Sequence, residues 1–66
     1  MNVRVNGEDR SLADGTTLPA LLESMGLGTG WVVVERNGVA LLRSETERTV
    51  LEDGDVLEIV RAVAGG

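Results

Sequence analysis

Chemistry in this chain of 66 residues comes down to one group, the α-carboxylate of Gly66. The sequence contains no Cys, His, Lys or Tyr. The thiol, imidazole, amine and phenol that ordinarily act as nucleophiles or general bases are therefore missing. The Gly66 carboxylate has no side chain beside it and follows Gly65, which has none either. A carboxylate at neutral pH is a poor acyl donor, because its oxygen is a poor leaving group. A mixed anhydride with AMP would supply a good one, and a sulfur nucleophile attacking that carbonyl would leave a terminal thiocarboxylate. With no thiol in the chain, any sulfur it carries must sit at Gly66. With no Lys, it offers no side-chain amine to which a second copy could be joined. This is the profile of a substrate that bears cargo, not of a catalyst.

The approach to that end suits the role. Ala62-Val63-Ala64-Gly65-Gly66 carries no charged side chain. The three residues beyond Val63 reach at most about 10 Å when extended, so Ala64, Gly65 and Gly66 make a thin probe for another protein's active site. Glycine lets channel walls approach the backbone closely and accepts any φ they demand. The expectation is one domain spanning 1–66 with a flexible tail at 62–66.

Composition narrows the classes. Hydrophobic residues at 42% and charged residues at 26% are globular values, which argues against disorder. Trp31 is the only aromatic residue, so the core must be aliphatic. Eleven acidic residues against six Arg give a net charge of -5. Such a domain repels phosphate backbones and is drawn to basic grooves on proteins, so no nucleic-acid partner is expected. The charge also favours a monomer when free. The absence of Cys fits a reducing compartment. No signal-peptide pattern or apolar run of ~18 residues occurs, so membrane insertion is not expected and cytoplasmic residence is.

The elements that must position the tail follow from periodicity. Met1 to Asn6 alternates apolar and polar residues, as a half-buried strand does. Asn6-Gly7 is a hairpin signal, and a short strand over Glu8 to Leu12 would pair back. Asp14-Gly15 turns the chain again. Thr17 is placed to cap a helix whose first turn holds Pro19. Leu18, Leu21, Leu22 and Met25 fall at i, i+3, i+4 and i+7, one apolar stripe, and Gly26 suits the helix end. Leu27 to Gly30 reads as a flexible connection. Trp31 to Arg36 reads as a strand, Asn37-Gly38 as a second hairpin turn, and Val39 to Arg43 as its return. Ser44 to Arg48 suits a helical turn and Thr49 to Leu51 a brief strand. Glu52-Asp53-Gly54-Asp55 is a turn before the closing strand, Val56 to Arg61.

That order predicts an α+β fold with one helix covering one face of a mixed sheet. Val3, Val5, Leu57 and Ile59 would face the helix. Val33, Val56 and Val60 would face the other way, a candidate docking surface. Other signals are weaker. Gly26, Gly28 and Gly30 follow a helix and open a strand, the reverse of a dinucleotide fingerprint, so they read as a loop. The acidic pairs Glu8-Asp9 and Glu52-Asp53-Asp55 are explained by turn chemistry and solubility, and no metal site is expected. Trp31 reads as packing at a strand start.

Three runs carry a family resemblance: Val34-Glu35-Arg36-Asn37-Gly38 with Arg43-Ser44, then Leu51-Glu52-Asp53-Gly54-Asp55-Val56-Leu57-Glu58-Ile59, and finally Val63-Ala64-Gly65-Gly66. Together with Val3 to Glu8 and Thr17 to Leu22, they resemble the sulfur carrier proteins of thiamine biosynthesis, the ThiS family. The resemblance implies a ubiquitin-like β-grasp of four to five strands. It implies adenylation of Gly66 by an ATP-using activating enzyme, conversion to a thiocarboxylate with sulfur from a donor protein, and delivery to thiazole synthase. The chain itself would bind no cofactor and would not be an enzyme. The alternatives are a sulfur carrier for molybdopterin synthesis and a ubiquitin-like modifier or interaction module.

Overall fold

Two Asn-Gly turns set the framework. In the computed structural model, which describes residues 1–62, Asn6 and Gly7 have φ of 50° and 82°, and Asn37 and Gly38 have 51° and 83°. Positive φ at both central residues is type I′ geometry, whose twist matches that of the flanking strands. The first turn joins β1 (Asn2–Val5) to β2 (Glu8–Ser11); the second joins β3 (Val32–Arg36) to β4 (Val39–Ala40). Between the hairpins lies β5 (Val56–Arg61), parallel to β1 and antiparallel to β3, so the sheet runs β2-β1-β5-β3-β4.

The helix forms where its signals place it. Thr17 caps α1 (Leu18–Ser24), accepting a hydrogen bond from the Ala20 N–H at 3.2 Å. Gly26, at φ 76°, ends it. The Gly26 N–H donates to the Glu23 carbonyl at 2.9 Å and the Leu27 N–H to the Leu22 carbonyl at 2.8 Å, the paired bonds of a Schellman motif. Leu18, Leu21 and Leu22 are buried against Val3, Val5, Val34, Leu57 and Ile59, with Leu51 closing the core. Met25, at the stripe's end, is only partly buried.

Three boundaries differ from the sequence reading. Trp31 belongs to a 3-10 turn, Thr29–Trp31, and not to β3. The β4 strand stops after two residues, because the Glu45 carboxylate captures the Leu42 N–H at 2.7 Å and starts α2 (Arg43–Thr46). The brief strand expected at Thr49 to Leu51 is a single bridge, Thr17 to Val50. Among the described residues, no helix is long and apolar enough to cross a membrane.

Candidate functional site

The strand that leads to the tail is β5, and both hairpin asparagines reach across to hold it. The Asn6 side chain accepts from the Ile59 N–H at 2.7 Å and donates to the Ile59 carbonyl at 3.1 Å. On the other side, the Asn37 side chain accepts from the Val56 N–H at 2.9 Å, while its backbone N–H donates to the Val56 carbonyl at 2.8 Å. Each asparagine therefore makes the turn and extends the ladder beyond it. Nearest the tail, the Ala62 N–H donates to the Trp31 carbonyl at 2.7 Å. Ala64, Gly65 and Gly66, the residues expected to do the work, lie outside the described residues.

Asp55 anchors the start of β5. It is 5% exposed, and its carboxylate accepts from Arg36 Nε at 3.1 Å and Nη2 at 2.9 Å, from Asn37 Nδ2 at 3.0 Å and from the Glu52 N–H at 2.9 Å. Burial by itself pushes the Asp55 carboxyl up. The Glu52 N–H, the Arg36 and Asn37 hydrogen bonds and the Arg36 charge outweigh it, leaving the group below the usual carboxylate range. The turn is also stitched to β1: Asn2 N–H donates to Asp53 Oδ1 at 2.7 Å, and Gly54 N–H to the Asn2 carbonyl at 2.8 Å. Turn chemistry explains these acids, and among the described residues no group of three or more metal-ligating side chains could hold an ion.

Val33, Val56 and Val60 lie on the open face, 53%, 44% and 62% exposed. Val33 and Val60 sit directly opposite one another, and so do Glu35 and Glu58. The apolar strip is thus interrupted: Val56 pairs with Arg4 of β1, and Glu58 separates it from Val60. Like charges facing across a sheet destabilise the free chain slightly, and a cation brought to that face would relieve them.

The sequence reading missed the side-chain roles of Asn6, Asn37 and Asp55. An Asp-Gly or Gly-Gly pair makes a type I′ turn as well, so Asn at both turns is the only hint of a second duty. The pairing of Arg36 with Asp55 spans 19 residues and leaves no local pattern. Trp31, read as packing, is 62% exposed, because the 3-10 turn carries it off the core. Beside it is a cleft of about 330 Å³ whose lining includes Leu27, Val32, Arg61 and Ala62.

Comparison with known proteins agrees with this geometry. The family model described as ThiS family matches residues 3–66. The sulfur carrier protein ThiS of Thermus thermophilus is 44% identical over 64 residues, covering 97% of this chain and 98% of that protein. Thiazole synthases of Paramagnetospirillum magneticum and Magnetococcus marinus are 38% and 36% identical over 66 residues, and this chain spans only 20% of the length of each. The crystal structure of a thiamine biosynthesis protein (ThiS) from Geobacter metallireducens matches with a TM-score of 0.80 at 32% identity, covering 100% of both chains. The sheet order and single main helix are those of the ubiquitin-like β-grasp, and the chain belongs to the ThiS family of sulfur carriers.

Proposed function

We propose that this chain carries sulfur for the thiazole moiety of thiamine, as a thiocarboxylate on Gly66. A Gly66 carboxylate oxygen attacks the α-phosphorus of ATP on an activating partner, forming the acyl adenylate and releasing pyrophosphate. Hydrosulfide released by a donor protein attacks the carbonyl carbon, and AMP leaves with the electrons of the broken C–O bond. The thiocarboxylate is then delivered to thiazole synthase. The chain supplies no catalytic side chain and binds no cofactor; ATP belongs to the activating partner. It works as a monomer in the cytoplasm.

The observation that carries this reading is a family match running through residue 66, in a sequence that lacks Cys, His, Lys and Tyr. Support for the synthase as partner comes from the two thiazole synthases that contain a segment similar to the whole chain. Two proteins that must meet can be held at high effective concentration by sharing one polypeptide. The open face bearing Val33, Val60 and, farther along β5, Val56 docks the activating partner, with a basic side chain meeting Glu35 and Glu58. The test is intact mass. Incubation with the activating enzyme, ATP and a sulfur donor should replace one oxygen by sulfur. A chain lacking Gly66 should show no such change, and sulfur gained by the truncated chain would refute the site.

A further inference from the structure

We infer that the rim of the thiazole synthase channel that receives the tail closes over Trp31 and the cleft beside it, an inference that rests on Gly66 being the reacting residue. The last backbone bond holding the chain among the described residues is Ala62 N–H to the Trp31 carbonyl, at 2.7 Å. Gly66 is four residues on from Ala62, and fully extended those four residues span about 14 Å. A site that takes sulfur from a carbonyl must keep water from hydrolysing it, so it has to enclose the tail and not merely touch its tip. The folded body behind Ala62 cannot follow the tail into a channel. Enclosure therefore consumes most of the reach and presses the channel mouth against whatever surrounds Ala62.

What surrounds it is suited to contact. Trp31 is the chain's only aromatic residue, and it is 62% exposed where its carbonyl fixes the tail. Tryptophan supplies large, rigid contact area and is enriched among the residues that dominate interface energetics. The cleft of about 330 Å³ beside it is lined by Leu27, Gly28, Trp31, Val32, Arg61 and Ala62. Arg61 brings positive charge to this corner of a chain whose net charge is -5. The occupant defined by these residues is an apolar side chain of the synthase rim, seated between Trp31 and Leu27, with a carboxylate beside it to meet Arg61. This surface is separate from the Val33–Val60 pair: Arg61 pairs with Val32, one residue out of phase with the open face.

Trp31 makes the test direct. A chain labelled with 5-fluorotryptophan gives one fluorine resonance, because it holds a single Trp. Titration with the thiazole synthase of the same organism should shift that resonance and abolish its sensitivity to exchange of H2O for D2O. W31A should weaken association at least about tenfold, as truncation of a central interface Trp does. R61E should weaken it and R61K should not. A resonance that keeps its solvent sensitivity in the saturated complex, or W31A binding within about twofold of the parent, overturns the rim contact. The intact mass of the unsubstituted chain after sulfur loading reads the premise separately. Sulfur at Gly66 with an unperturbed Trp31 overturns the rim alone, whereas no sulfur at Gly66 overturns the carrier reading and this inference together.

Discussion

Replacing Asn6 with Gly separates its two duties. Gly-Gly still forms a type I′ turn, and glycine sits at φ 50° without strain. The backbone bond from Asn6 N–H to the Leu57 carbonyl at 2.9 Å is kept. What disappears is the pair of side-chain bonds to Ile59, at 2.7 and 3.1 Å. Each is worth about 0.5–1.5 kcal/mol net. Asn6 is exposed, so water reaches the freed groups and the lower part of the range applies, about 1–2 kcal/mol for the two. Glycine's extra freedom in the unfolded chain adds a few tenths.

At about 2.1 cal/mol/K per residue, unfolding entropy for this length converts 1 kcal/mol into about 7 °C. The N6G midpoint should therefore fall by about 7–14 °C in a thermal melt followed by circular dichroism. The Ile59 amide should also exchange with solvent faster than its neighbours in β5. Asn6→Asp sharpens the test. Its carboxylate can accept from the Ile59 N–H but faces the Ile59 carbonyl with no proton to donate, so N6D should lie below N6G at neutral pH and gain on it in acid. An unchanged N6G midpoint with Ile59 still protected would refute the clamp.

Three further outcomes test the rest of the fold and the proposed docking face. The Asp55 carboxyl is held below its usual range, so its contribution is complete above the unfolded-state value of about 3.9 and is lost as pH falls through the lower folded value. D55N should lower stability by about 2–3 kcal/mol at neutral pH, less than a fully buried pair because Arg36 is a quarter exposed. Its difference from the parent should shrink in melts taken at progressively lower pH below the ordinary carboxylate range. Leu21 is 1% exposed, and L21A should cost about 2–5 kcal/mol, much of the roughly 3–10 kcal/mol available to a chain this size, read as the urea midpoint. V60E should change stability by less than about 1 kcal/mol and weaken binding to the activating enzyme by more; the reverse ordering would place Val60 in the core.

What was legible in the sequence was whatever a local pattern encodes. Thr17, Pro19, the Leu stripe and Gly26 mark α1 because capping, φ restriction and helical period act within a few residues. The Asn-Gly pairs mark the hairpins because type I′ turns restrict what can occupy them. The closing strand, Val56 to Arg61, coincides with β5, and Val33, Val56 and Val60 lie exposed as alternation requires. The parts that were not legible depend on partners distant in the chain. Asn6 meets Ile59 across 53 residues, and Arg36 meets Asp55 across 19. Trp31 was misplaced because its β-branched neighbours suggest a strand, while the 3-10 turn before them sets where the strand begins. The proposed chemistry rests on a different kind of signal: with no Cys, His, Lys or Tyr present, elimination points to Gly66.

The features that the sequence did not reveal act on one strand. Asp55 and Asn37 fix where β5 starts, Asn6 holds its middle, and the Trp31 carbonyl holds Ala62 where β5 hands over to the tail. A carrier needs this more than it needs a large core. On the proposed reading Gly66 lies at most about 14 Å from Ala62, so a wandering origin of even a few Å would leave it short of a closed site. The parallel pairing of β1 with β5 ends at Val5 and Leu57, well before the tail, and Asn6 extends the grip to Ile59 without lengthening β1. The same economy accounts for the chemistry. On the proposed reading, side chains that include neither thiol nor amine leave an activated Gly66 to meet its first such side-chain nucleophile in the partner.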